Sequence, residues 1–257
     1  MKITTLITGA SNGIGLELAY INAEKGNNLI LIARNWRKLQ EIKAEIETKY
    51  EVAVTIISKD LSVHNAAQEV YNEIHLLNLN VDYLINNAGF GDYGMFAETN
   101  WEKEQEMINL NITALTQLTK LFLPQMIKRK SGKILNLAST ASFQPGPKMA
   151  VYFATKSYVL HFSEAIANEV KEYGVTVTAL CPGPTQSGFQ NAAAMDNSKL
   201  FNDRKLPTAA TVANYGYQAM MSGKTVAIHG TLNYILANLI RLLPRNVVTK
   251  ITRSIQE

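Results

Sequence analysis

A single cysteine, Cys181, stands in the whole chain, which excludes an internal disulfide and any metal cage built from thiolates. The four histidines, His64, His75, His161 and His229, are scattered without ligand spacing, so each reads as structural and no bound metal is expected. No apolar run approaches the roughly 18 residues that a membrane-spanning helix needs. The first apolar stretch, residues 3–7, is too short for a secretion signal and has no cleavage-like site after it. Low-complexity linkers and internal repeats are missing. Nowhere are Lys and Arg dense enough for a nucleic-acid footprint; the tightest cluster, Lys128-Arg129-Lys130, precedes a Ser-Gly turn as a solvated helix end. Together these absences predict a cytoplasmic chain folded as one domain over residues 1–257, with no nucleic-acid partner.

What is present fits a globular protein with a sizeable core: 257 residues, 47% hydrophobic and 18% charged. The net charge of +4 implies a mildly basic surface, or a local field that attracts an anionic ligand. Short apolar runs predict strands over 3–8, 29–33, 53–58, 83–86, 133–138, 176–180 and 225–228. Most lack alternation, as expected of parallel strands covered on both faces. Between them, helical periodicity is clearest over 15–25, 37–50, 63–77, 99–130 and 152–173. Repeated strand–helix–strand order predicts an α/β fold, a doubly wound parallel sheet with helices on both faces. Such sheets bind ligands beyond the carboxyl ends of their strands, near the point where strand order reverses.

The candidate functional residues follow strands. After the first comes Thr8-Gly9-Ala10-Ser11-Asn12-Gly13-Ile14-Gly15. Its glycines permit a tight turn and a close backbone approach by a diphosphate, with the next helix offering free N–H groups to that anion. Gly9, Ser11, Asn12, Gly13, Ile14 and Gly15 are therefore assigned to a dinucleotide. Arg34, after the second strand, stands where an acidic residue would bind the ribose hydroxyls of NAD(H). Its guanidinium suits a 2′-phosphate, so NADP(H) is favoured, although Asn12 supplies no second basic group and a solvated loop arginine is the plain alternative. Asp60, beside Leu61 after the third strand, either bonds an adenine amino group or caps a helix. Asn86-Asn87-Ala88-Gly89 follows the fourth strand, where small residues and amides let backbone lie against the cofactor.

Tyr152 and Lys156 lie four apart on a predicted helix and share a face. A phenol near pKa 10 is a poor acid–base group at neutral pH, but a neighbouring ammonium and the positive nicotinamide of an oxidised cofactor are expected to lower it. Tyr152 would then pass a proton to a carbonyl oxygen, or take one from an alcohol. By itself the pair is a common coincidence. Ser139, thirteen residues upstream at the end of the fifth strand, raises its weight, because its hydroxyl can hold the substrate oxygen beside the phenol. Ser142 is a competitor deeper in the loop. Asn111, within 99–130, either holds a water that positions Lys156 or is an ordinary helix-face amide. After the sixth strand, Pro182-Gly183 open a turn, and Thr185 or Ser187 is placed to bond the nicotinamide carboxamide. Cys181 reads as an inert core residue.

This set of residues, in this order and spacing from Thr8 to Gly183, resembles the short-chain dehydrogenase/reductase family; the tail resembles a bacterial subgroup of broadly annotated reductases. The resemblance implies a Rossmann-type sandwich with a mostly parallel seven-stranded sheet. It also implies a nicotinamide dinucleotide, a small carbonyl or alcohol substrate, and a homodimer or homotetramer. It places a Ser–Tyr–Lys triad on Ser139, Tyr152 and Lys156, with Asn111 in support. Where a second serine is frequent in the family, this chain has Ala138.

Residues 186–210, with Phe189 and Met195 among polar neighbours, are predicted to form a substrate lid. Residues 230–257 form a helical extension in which Leu232, Ile235, Leu236, Leu239, Ile240 and Leu243 recur at helical spacing. The favoured expectation is packing onto this domain or a partner subunit. The alternatives are a wall of the substrate pocket or a membrane-surface helix, with Arg241, Arg245, Lys250 and Arg253 toward anionic headgroups.

Overall fold

In the computed structural model the described residues are 2–188 and 206–256. Seven strands form one sheet: β1 Thr4–Thr8, β2 Asn28–Ala33, β3 Val54–Ser58, β4 Tyr83–Asn86, β5 Gly132–Leu137, β6 Val175–Cys181 and β7 Val226–Ile228. They lie in the order β3-β2-β1-β4-β5-β6-β7, and every pairing is parallel. Each run predicted as a strand is one, with ends that agree to within one residue. The order reverses between β1 and β4, which opens a crevice beyond their carboxyl ends.

Among the described residues the helices are α1 Gly13–Glu24, α2 Trp36–Lys49, α3 Ala66–Leu76, α4 Trp101–Ile108, α5 Leu115–Arg129, α6 Ala150–Val170, α7 Ala209–Met221, α8 Thr231–Leu239 and α9 Arg245–Gln256. Strand residues alternate between two cores. Ile7, Leu31, Ile85, Leu135 and Leu180 pack under α1, α2 and α7, whereas Leu6, Ile30, Leu84, Ile134 and Val177 pack under α3 and α5. This two-sided burial explains the unbroken apolar runs. Asn35 and Asn100 cap α2 and α4 by accepting from Lys38 N and Lys103 N at 3.0 and 2.8 Å.

The predicted helix over 99–130 is divided in two. Between α4 and α5 lies a π turn, Asn109–Ala114, with Asn111 buried in it. An apolar stripe of continuous period does not reveal one extra residue in the hydrogen-bond ladder, so the pattern reads as a single helix.

A buried polar cluster ties together the two strands that carry the site. The amide of Asn86 on β4 donates to Asn136 Oδ1 on β5 at 2.9 Å and to Thr119 Oγ on α5 at 3.1 Å. Asn136 in turn donates to Ser163 Oγ on α6 at 2.9 Å. Four elements therefore share one buried network, in which Asn86 Oδ1 is left without a hydrogen-bond partner. Asn136→Ala is expected to destabilise the fold by about 2–3 kcal/mol, because it strands buried partners. Urea unfolding monitored by circular dichroism measures this; an unchanged midpoint would contradict it.

Candidate active site

The site begins where β1 and β4 part. The Thr8 hydroxyl accepts from the backbone N–H groups of Asn87 and Ala88, both at 3.0 Å. The Asn87 amide donates back to Thr8 O at 3.0 Å and Gly9 O at 3.2 Å. Asn87 thus binds the glycine turn to the β4 loop. Gly9 has φ +66°, a left-handed conformation that suits a residue without Cβ. At Gly15 a Cβ would strike Gly9 O and the Asn87 amide, so only glycine lets α1 start this close to the turn.

A cavity of about 550 Å³ opens over this turn. All of Gly9, Ser11, Asn12, Gly13, Ile14, Arg34, Asp60, Leu61, Asn87, Ala88 and Gly89 line it, joined by Lys59, Phe90, Lys103 and Leu110, which sequence reasoning did not assign. Lys103 is held at its rim by an ion pair with the nearly buried Asp92 at 2.5 Å. The elongated cradle, the free N-terminus of α1 and the rim arginine fit a dinucleotide. Arg34 is 77% exposed and 3.7 Å from Asp60. Asp60 Oδ1 accepts from Ser62 N at 2.9 Å and Ser62 Oγ at 2.7 Å, which closes a local turn; it caps no helix, because the next one, α3, starts at Ala66 after Asn65. Burial opposes ionisation of Asp60, but the Ser62 hydrogen bonds and Arg34 outweigh it and hold its pKa below the usual value.

A second cavity, of about 180 Å³, adjoins the first and shares Ile14, Asn87, Gly89, Leu137 and Ser187 with it. Ser139, Tyr152, Lys156, Pro182, Gly183 and Thr185 lie in its wall. The remainder is largely apolar and includes Ala141, Met149, Phe153, Pro184 and Ile255. Ser139 leaves β5 in extended backbone and caps a short 3₁₀ turn, its Oγ accepting from Ala141 N at 3.1 Å. It hydrogen-bonds the Tyr152 phenol. Lys156 Nζ donates to Leu137 O at 2.7 Å and sits 5.8 Å from the centre of the Tyr152 ring. Ser142 is buried, donating to Lys156 O at 2.8 Å, and contributes to the helix seat but not to the cavity.

Asn111 reaches the same place from the π turn. Its amide donates to Phe90 O at 3.0 Å and Thr155 Oγ at 3.1 Å, and its Oδ1 accepts from Phe90 N at 3.2 Å. Both N–H donors are thus committed to the β4 loop and α6. A Cβ added at Gly89 would lie 2.9 Å from Asn111 Oδ1 and 3.4 Å from Lys156 Nζ, which shows how closely the three converge. Thr155, the partner that fixes Asn111, gives no signal in the sequence. Thr185 Oγ donates to Gly183 O at 2.9 Å and Ser187 Oγ to Thr185 O at 3.3 Å, which rigidifies the turn after β6. The backbone of Gln186 bonds Pro207 O at 3.0 Å, so the predicted lid is joined at its base; its Phe189 and Met195 lie outside the described residues.

The free site differs electrostatically from the one expected with an oxidised cofactor in place. Burial pushes the Tyr152 phenol up to about 12, only partly offset by its Ser139 hydrogen bond. Lys156, whose Nζ donates to the Leu137 carbonyl and lies 5.8 Å from the ring centre, is not among the groups that lower it here. Burial instead pulls Lys156 down to about 8. Cys181 is fully buried, and its thiol is pushed up to about 12, as an inert core residue should be.

The fold and this site define a dinucleotide-binding α/β oxidoreductase, and the short chain dehydrogenase family profile matches residues 3–198; the chain belongs to that family. It is 32% identical to the very-long-chain 3-oxoacyl-CoA reductase of Pyrenophora tritici-repentis, over 98% of this chain and 76% of that protein. It is 36% identical to the human inactive hydroxysteroid dehydrogenase-like protein 1, over 69% of this chain and only 54% of that protein. A short-chain dehydrogenase from Sphingobium yanoikuyae, solved in complex with NADPH, superposes with a TM-score of 0.84 at 28% identity, covering 93% of this chain and 94% of that one.

The lysine has a measurable signature. The folded chain releases the Lys156 proton near pH 8 and the unfolded chain near 10.5. Between those values the unfolded state holds more protons, so this residue makes stability rise with pH. Stability relative to Lys156→Met, from urea titrations at the two ends of that window, should grow by ~3 kcal/mol. A flat difference would show an unperturbed lysine.

Proposed function

We propose that the protein is an NADP(H)-dependent carbonyl reductase in which Tyr152 transfers the proton. The observation that carries this reading is the hydrogen-bonded Ser139–Tyr152 pair, with Lys156 behind it, in a cavity that opens into the dinucleotide cradle. The nicotinamide, when bound, supplies the hydride. Gly9, Gly13 and the start of α1 would hold its diphosphate, and Thr185 or Ser187 the carboxamide. Lys156 would turn from Leu137 O to the ribose, bringing its charge to bear on the phenol.

Ser139 then donates a hydrogen bond to the substrate carbonyl and keeps that oxygen beside the phenol. As negative charge develops on the oxygen, Tyr152 gives it the proton. A phenol with its pKa near 12 is fully protonated at neutral pH, so the donor is ready for reduction. An alkoxide is a much stronger base than a phenolate, which makes the transfer downhill. Asn111 positions the β4 loop and α6 around this centre and touches no reacting atom.

For the substrate, the apolar cavity wall supports a ketone on an aliphatic chain. The 32% identity to a 3-oxoacyl-CoA reductase across 98% of the chain supports a 3-oxoacyl thioester in particular. A non-catalytic role as a dinucleotide-binding sensor has support in the name of the inactive human relative. The complete Ser–Tyr–Lys constellation of this chain argues against it.

Tyr152→Phe should lower the rate of NADPH-dependent ketone reduction by ~10²-fold or more, with NADPH affinity retained by fluorescence titration. Undiminished turnover would remove Tyr152 from the chemistry. Arg34→Asp should weaken NADPH by ~10-fold or more and leave NADH little changed. Equal losses for both cofactors would discredit the contact to the 2′-phosphate.

A further inference from the structure

The carboxyl-terminal helices point their apolar faces outward. On α8, Leu232, Ile235, Leu236 and Leu239 follow the i, i+3, i+4, i+7 spacing of a face built for burial. Their exposures nonetheless run from 46 to 61%. The inward side rests on the buried Ala237 and on Asn233, whose amide donates to His229 O at 2.8 Å. Leu242, 80% exposed, continues the apolar surface toward α9. There Val248 and Thr252 turn inward and are buried, whereas Val247, Ile251 and Ile255 are exposed. Of the two packings expected for this stripe, the one onto its own domain is not seen for Leu232, Ile235, Leu236 and Leu239, and a partner surface remains.

Charge identifies what covers it. From Thr231 to Gln256, the span of α8 and α9, the chain has no Asp or Glu and four cations: Arg241, Arg245, Lys250 and Arg253. That segment carries +4, as much as the net charge of the entire chain. A second copy seated on the same face would bring like charge against like. An anionic bilayer meets both demands: acyl chains accept the leucines and headgroups accept the cations. The face also adjoins the substrate cavity, whose wall includes Thr252 and Ile255 of α9. Among the described residues no helix is long and apolar enough to cross a membrane, so the contact is a surface one.

We infer that the α8–α9 face docks on anionic lipid surfaces and brings the substrate cavity to the bilayer interface. The suggestion that an acyl-chain substrate enters from that side rests on the proposed function; the docking itself does not.

The test is co-sedimentation of the full chain with vesicles of phosphatidylcholine alone or with about a third phosphatidylserine. Binding should be ~10-fold or more tighter to the anionic vesicles and fall with added salt. Leu239→Asp with Leu242→Asp should reduce it by ~10-fold or more. Arg245→Gln with Lys250→Gln should reduce it by ~10-fold on anionic vesicles only. Circular dichroism checks that each variant is folded, and the charge pair keeps the test alive if the leucine pair is not. No preference for anionic vesicles, or binding indifferent to both pairs, would overturn the proposal. So would sedimentation showing a dimer that the leucine variant dissociates, since the face would then be a contact between copies. Because vesicle binding is read without turnover, its failure leaves the reductase reading standing, and an inactive chain that binds vesicles leaves the docking standing.

Discussion

The hydrogen bonds between Thr8 and Asn87–Ala88 hold the site together. They join β1 and β4 where strand order reverses, the one place in the sheet where successive crossovers diverge to opposite faces. Without that bridge the glycine turn and the β4 loop would be free to separate. With it, the turn, the start of α1 and the backbone of Gly89 form one rigid floor beneath both cavities. Everything chemical is then referred to that floor: Asn111 is fixed to Phe90, Thr155 to Asn111, and the helix bearing Tyr152 and Lys156 is fixed by its own Thr155.

Burial sets the resting protonation of the site. Tyr152 and Lys156 are both taken out of water, and desolvation moves each toward its neutral form, the phenol upward and the amine downward. The proton-rich phenol is a donor waiting for an acceptor. The lysine, hydrogen-bonded to a backbone carbonyl, has a charge that responds to whatever anion enters the cradle. The local field is therefore adjustable by ligands, and the tuning expected from the ammonium together with an oxidised nicotinamide belongs to the loaded site.

Much of this was legible in the sequence. Parallel strands buried on both faces leave apolar runs, so all seven were visible, as were the residues following them. Ser139, Tyr152 and Lys156 were legible because the strand end and the helical spacing bring them together with little help from the rest of the chain. Asn111 was placed in a continuous helix because periodicity counts faces, not hydrogen bonds. Thr155 stayed invisible because its role exists only through a neighbour 44 residues away in the chain. The stripe on α8 was seen, with its covering left open among its own domain, a partner subunit, the substrate pocket and a membrane surface: spacing defines a face, while only tertiary structure tells which way it looks.

The π turn from Asn109 to Ala114 makes chain length a structural variable. It is an α-helix carrying one residue in surplus, stored as a widened loop of backbone. Deleting any one residue there would let the ladder close normally and rotate α4 by about 100° about its axis relative to α5. That rotation would carry Lys103 away from Asp92 and slide the register of Asn111 out of the β4 loop. Substitution in this segment is a matter of fit, but an insertion or deletion is a matter of phase, and natural variants should tolerate the first far better than the second.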